Sequence, residues 1–264
     1  MNKKGYPMDN LFSLLRNNLS LYKDEFQFLT NKGIKKMKED ILQFSYEKLL
    51  PSVPFHKLKI DVDLLEVRKF FTRCSPIRGV MLSFGKEDVE EGRIRIHNNQ
   101  LILDDTVLYC DVFQEFSSCQ ICTGIAYLAS CNTDSFEEYG IGQLNYHFIQ
   151  NSCLDLVRNM IMQNFRLFTY EQLFTIEQRS VTEQVSFTKT FGPGYYGMQV
   201  EEGEKLHKLL HGERLGVRYE DGMMHPLKST IGAAFSYRGK ETVKLNPCDF
   251  CESNGEHCMF CGGI

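Results

Sequence analysis

The sequence predicts an α+β protein: a mainly antiparallel sheet flanked by helices, preceded by N-terminal helices and followed by a short cysteine-rich tail. Three observations carry that prediction. Asn98-Asn99 lies between two β-rich arms, Arg93-Ile-Arg-Ile-His and Gln100-Leu-Ile-Leu, and asparagine tolerates the left-handed backbone that a tight hairpin needs. The stretch Cys119-Gln-Ile-Cys-Thr-Gly-Ile-Ala-Tyr-Leu-Ala is almost continuously apolar, as a buried central strand must be. From Gly140 to Phe165, Leu144, Phe148, Cys153, Leu156, Met160 and Met162 supply the apolar positions of what is expected to be the longest helix.

Taken in order, the first fifty residues read as helices. Ile34, Met37, Ile41 and Phe44 fall at helical spacing, and Pro51 and Pro54 end the run. Leu58, Ile60, Val62 and Leu64 then alternate with Lys59, Asp61 and Asp63, the period of a half-buried strand. Gly79-Val-Met-Leu-Ser-Phe is a second strand, the Asn98-Asn99 hairpin follows, and Asp111 to Phe116 reads as a short helix. Arg179 to Thr190 is the most linker-like stretch, and Glu201 to Leu210 reads as a helix. The divisions expected are residues 1–55, helical; 56–246, the main domain; and 247–264, the tail.

Composition excludes some functions. The chain has 264 residues, 42% hydrophobic and 24% charged, enough to bury a core, and its formal charge is -4. Nucleic-acid binding is not expected, because phosphate neutralisation needs clustered Lys and Arg. No apolar stretch reaches the roughly 18 residues of a membrane span.

The tail carries the strongest motif. Cys248-Asp-Phe-Cys251 and Cys258-Met-Phe-Cys261 are two Cys-x-x-Cys pairs. That gap lets both sulfurs of a pair point at one ion from a single turn, so Cys248, Cys251, Cys258 and Cys261 are the expected metal ligands, for zinc or for an iron–sulfur cluster. His257 can replace one thiolate. Disulfides are not expected. Arg16, Asn17 and Asn18 break the only leucine-rich run near the start, so no export signal is read and the expected location is the reducing cytoplasm. A third pair, Cys119 and Cys122, reads as core.

A second motif is glycine-rich. Gly192, Gly194 and Gly197 satisfy G-x-G-x-x-G, but a dinucleotide fold needs that motif early in a βαβ unit, and here it comes near the end of the chain beside Pro193. Glycines at this density bring the backbone close to a ligand, while Tyr195 and Tyr196 offer flat faces and hydroxyls. His207 and His211, four apart on the next helix, show no third ligand and read as solvated surface. No catalytic nucleophile is assignable, because such partners meet only in the fold.

Gly192-Pro-Gly-Tyr-Tyr-Gly, the helix with Glu204-Lys-Leu-His-Lys-Leu-Leu, Gly216-Val, and Met223-Met-His-Pro-Leu-Lys-Ser229 together resemble the reactivation domain of cobalamin-dependent methionine synthase, closest to its free-standing clostridial-type relatives. The resemblance covers residues 56–264 and is strongest from Phe191 to Gly232. It implies a methionine synthase activation fold and a role as accessory component of a methyltransferase system. Such a component presents S-adenosylmethionine to a partner corrinoid protein, whose oxidised cobalamin is restored by one electron and one methyl group. The electron donor implied is a flavodoxin or ferredoxin. The family's ligand motif, R-x-x-x-G-Y, matches at Gly194 and Tyr195, and the resemblance places Gly192, Tyr196 and Glu220 at the same site. Thr190 stands at the arginine position, and a threonine hydroxyl cannot reproduce a bidentate charged clamp. Lys189 is adjacent, but neighbouring side chains of an extended segment point to opposite faces. Arg218-Tyr-Glu-Asp221 departs from the family except at Glu220. No Asp-x-His-x-x-Gly cobalamin motif is present, so the corrinoid belongs to the partner. Two alternatives stay open: an iron–sulfur electron carrier or sensor on the same fold, and a zinc-stapled interaction module.

Overall fold

The computed structural model describes residues 38–53, 55, 63–131, 144–173, 185–239, 243 and 245. It is α+β, with an antiparallel sheet flanked by helices, as the sequence predicts. The tail cysteines, residues 1–37 and Leu58 to Val62 lie outside the described residues.

In chain order, β1 (Lys38–Phe44) leads into a short helix α1 (Tyr46–Leu49), a 3-10 turn (Leu50–Ser52) and α2 (Leu64–Phe71). Next come β2 (Ile77–Phe84), α3 (Lys86–Glu90), β3 (Ile94–His97), β4 (Gln100–Leu103) and β5 (Thr106–Tyr109). A 3-10 helix (Asp111–Phe116) precedes β6 (Gln120–Ser130), the long α4 (Leu144–Leu173) and the two-residue β7 (Ser186–Phe187). The chain continues through α5 (Glu202–Leu209), a 3-10 turn (Gly212–Leu215), β8 (Arg218–Glu220), β9 (Met223–His225) and β10 (Ser229–Arg238). The main sheet runs β1-β2-β6-β10-β7, every neighbouring pair antiparallel. A three-stranded sheet β3-β4-β5 and the β8-β9 hairpin stand beside it.

Three elements differ from the sequence reading. Lys38–Phe44 is an edge strand rather than helix, in register with Ile77–Ser83 of β2. Leu42 and Phe44 are buried and Gln43 between them is exposed, a period of two that the ladder imposes over the helical spacing of Ile41 and Phe44. Leu64, read as the end of a strand, opens α2, because the Asp63 carboxylate accepts the Leu65 N–H at 2.8 Å and caps the helix. The linker-like stretch ends in structure: Ser186–Phe187 pairs with β10, and Thr188 is buried with its N–H on the Phe235 carbonyl at 3.0 Å.

The β3-β4 hairpin, β6 and α4 follow the sequence. Asn98 takes φ 54 in the β3-β4 turn, which His97 and Gln100 close. β6 is the central strand, buried along all but its first residue. Its two faces feed two cores. One holds Phe113, Phe116, Phe191, Phe235 and Tyr237 in edge-to-face and stacked contacts. The other seats α4 through Ile149, Cys153, Val157, Ile161 and Phe165. Phe148, expected to face inward, is 46% exposed. α4 is fastened by polar groups too. The Thr123 hydroxyl lies 2.7 Å from those of both Thr169 and Ser236, all three buried, and Thr169 also donates to Phe165 O at 2.9 Å.

Candidate functional site

The glycine-rich segment is laid directly on β10. Phe191 and Ala233 exchange both backbone hydrogen bonds at 2.8 Å. The next residue passes so close that a Cβ on Gly192 would sit 2.8 Å from Ile231 O, so only glycine fits. The chain then reverses, with Tyr195 N donating to Gly192 O at 3.1 Å and Met198 N to Tyr195 O at 3.0 Å. Gly194 has φ +79 and nothing within 4 Å of where its side chain would be, while its N–H donates to Met198 O at 2.9 Å and closes the turn. Gly192, Gly194, Tyr195 and Tyr196 therefore share one turn. The two tyrosines have different jobs. Tyr195 is 68% exposed. Tyr196 is buried edge-on against Phe191, the Cys110 thiol donates to its carbonyl at 3.0 Å, and burial raises its hydroxyl pKa. Tyr195 can meet a ligand, whereas Tyr196 anchors the turn.

α5 braces the turn from the far side. Gly203, inside the helix, packs against Pro193 and Tyr219, and the Tyr219 hydroxyl donates to Val200 O. Glu202 is buried, accepting the Tyr109 N–H at 3.0 Å and the Lys205 ammonium at 2.7 Å. Lys205 also reaches Val107 O at 3.2 Å, so the helix start is pinned to β5. The β8-β9 hairpin turns at Asp221 and Gly222, both at positive φ (49 and 77). Glu220, placed at the ligand site by resemblance, is exposed on β8 and pairs with Arg218 at 3.2 Å. Asp-Gly is the dipeptide that such hairpins favour, so this element was visible in the sequence.

His207 corrects the sequence reading. It is not solvated surface: it is buried, and its Nε2 donates to Val217 O at 2.8 Å, tying α5 to the strand that follows. His211 lies past the end of the helix at φ 49 and is exposed, so the two do not present a common face. Among the described residues no group of three or more His, Cys, Asp or Glu side chains is placed to hold a metal. Cys122 of the third Cys-x-x-Cys pair is buried core and Cys119 half-buried, as expected. Burial pushes Cys110 up to about 12 and Cys131 up to about 11, which makes them inert thiols.

Thr190, at the family's arginine position, sits on the opposite side of the strand from Phe191. Tyr127 of β6 pairs with Gly232, two residues along β10 from Thr230. Tyr127 is buried, which raises its pKa, while the hydrogen bond from Thr190, the charge of Arg158 and the hydrogen bond from Thr230 oppose the rise. Lys189 is exposed. Tyr127 and Thr230 escape sequence reading because their strands meet only in the folded sheet and no local spacing marks them. No protein-family model matches the chain, and no curated protein matches it. Among the described residues, no helix is long and apolar enough to cross a membrane.

Proposed function

We propose that this chain is an accessory component of a cobalamin-dependent methionine synthase system, presenting S-adenosylmethionine to a partner corrinoid protein for reductive methylation. The observation that carries the reading is the block from Gly192-Pro-Gly-Tyr to Met-Met-His-Pro-Leu-Lys-Ser229. Its physical support is that the motif residues act as one unit: Gly192 against Ile231 O, Gly203 against Pro193 and Tyr219, and the hairpin at Gly222 against Val200. These contacts hold Tyr195 and the uncovered Cα of Gly194 outward on a rigid base, as a small-ligand site requires.

In this reading the chain binds and orients the methyl donor, and chemistry occurs at the partner's cobalt. The methyl group leaves the sulfonium as the corrinoid gains one electron from a flavodoxin- or ferredoxin-type donor, with S-adenosylhomocysteine as the other product. The terminal Cys248, Cys251, Cys258 and Cys261 form a four-thiolate donor set suited to zinc or to an iron–sulfur cluster. A second reading, an iron–sulfur electron carrier or sensor without S-adenosylmethionine binding, is favoured by one observation: Thr190, at the family's arginine position, carries no charge.

Titration calorimetry with S-adenosylmethionine, paired with capture of a corrinoid methionine synthase protein, separates the two. Binding and capture are the expected result. Neither binding nor capture, with iron present by elemental analysis, would establish the second reading instead.

A further inference from the structure

Among the described residues eight large hydrophobic side chains are exposed, and four of them, Tyr109, Tyr195, Val200 and Met223, come from the segments that meet around the glycine-rich turn. Single exposed apolar residues are ordinary, whereas a group gathered on one surface marks a contact site. Contacts tie these segments together. The thiol of Cys110, next to Tyr109, lies 4.0 Å from Tyr195 O. The Tyr219 hydroxyl donates to Val200 O, and a Cβ on Gly222, next to Met223, would meet Val200 Cγ2 at 3.6 Å.

The charges around this surface do not balance. The cations of α5 and the β8-β9 hairpin are already engaged: Lys205 pairs with Glu202 at 2.7 Å, Lys208 with Glu204 at 2.7 Å, and Arg218 with Glu220 at 3.2 Å. Three exposed acids are left over. Asp111 lies against the turn, its Oδ2 2.6 Å from where a Cβ of Gly197 would be, Glu201 follows Val200, and Asp221 sits at the hairpin turn. None of the three has a cation paired with it among the described residues.

We infer that this surface is the docking face for the partner corrinoid protein, and that the partner's own face carries an apolar centre ringed by lysine or arginine. The inference rests on the S-adenosylmethionine reading and adds to it the chemistry of the partner's face. Passing a methyl group between two proteins brings the acceptor within bonding distance of the donor, so the partner must cover the turn and its surroundings. Tyrosine and methionine are residues that interface centres favour, and charges at the rim govern encounter rate and partner choice. A second copy of this chain would set like charges against each other. The leftover carboxylates therefore select a basic protein face.

The test is surface-plasmon binding of the full chain to an oxidised corrinoid methionine synthase protein, at low and at high salt. At low salt, Glu201→Lys combined with Asp221→Asn should slow association about tenfold, a difference that high salt removes. Asparagine accepts the positive φ of position 221, so the hairpin is kept. Met223→Asp should speed dissociation about tenfold. Calorimetry with S-adenosylmethionine should give the same affinity for every variant, since these side chains lie outside the turn. Association that ignores both the charge change and salt, or dissociation unchanged by Met223→Asp, overturns the docking face while leaving the S-adenosylmethionine reading in place. Lost S-adenosylmethionine affinity in the same variants assigns these residues to the ligand turn and also overturns it. A corrinoid protein that does not bind the unaltered chain overturns both.

Discussion

Gly203→Ala sets two effects of opposite sign against each other. In an ordinary helix the change is favourable, because glycine costs about 0.5–1 kcal/mol relative to alanine in a helix interior. Gly203 is inside α5, but its Cβ would fall 2.8 Å from both Pro193 Cγ and the Tyr219 ring, and closer still to the Tyr219 hydroxyl. Both neighbours are held, Pro193 by the turn and Tyr219 by its bond to Val200 O. Overpacking of this kind costs about 1–3 kcal/mol, so the net effect expected is a loss of about 1–2 kcal/mol. At ~2–4 °C per kcal/mol for a chain of this size, the thermal midpoint should fall by ~2–8 °C in a calorimetric or circular-dichroism melt. Tyr219→Ala should relieve the crowding, making the double variant less destabilised than the sum of the singles. A rise in midpoint for Gly203→Ala alone would show that turn, helix and hairpin are not packed as a unit.

Other outcomes follow from the same structure. Glu202→Gln removes a buried carboxylate that holds the Tyr109 N–H and Lys205, and should lower stability by about 1–3 kcal/mol in urea unfolding. Thr123→Val leaves the buried hydroxyls of Thr169 and Ser236 without their shared partner, at about 1–3 kcal/mol, whereas Ser152→Ala on the outer side of α4 should be near neutral. The raised Cys110 and Cys131 thiols, at about 12 and about 11, make stability pH-dependent on the alkaline side. The unfolded chain releases those protons from about pH 8.5, so stability is intact below that point and declines as pH rises through the folded values. Cys110→Ala should flatten the decline, read as urea midpoint against pH. Cys248→Ser should lower the metal bound per chain, measured by elemental analysis on anaerobically prepared protein.

Local patterns in the sequence reported local structure well. The Asn98-Asn99 turn, the apolar run of β6, the 3-10 helix at Asp111–Phe116, α4 and α5 all rest on short-range chemistry, and all are present. What the patterns missed depends on long-range partners. β1 takes its identity from β2, and Ser186–Phe187 from β10. His207 is polar by type and is followed by Lys208, yet the Val217 carbonyl gives its ring a buried partner. β5 went unread because Asp104-Asp105 is a weaker turn signal than Asn-Gly, although Asp104 adopts φ 51 there. In the candidate site, the turn from Gly192 to Tyr196 was legible as a motif. Tyr127 and Thr230, from β6 and β10, were not, since their strands pair only in the folded sheet.

The central claim is that this chain delivers a methyl group from S-adenosylmethionine to a partner's corrinoid. The most direct measurement mixes the chain with an oxidised corrinoid methionine synthase protein, a reduced flavodoxin or ferredoxin, and S-adenosylmethionine labelled at the methyl carbon. Label should appear on the corrinoid only when the chain is present. A corrinoid that stays unlabelled, or that gains label equally without the chain, contradicts the claim.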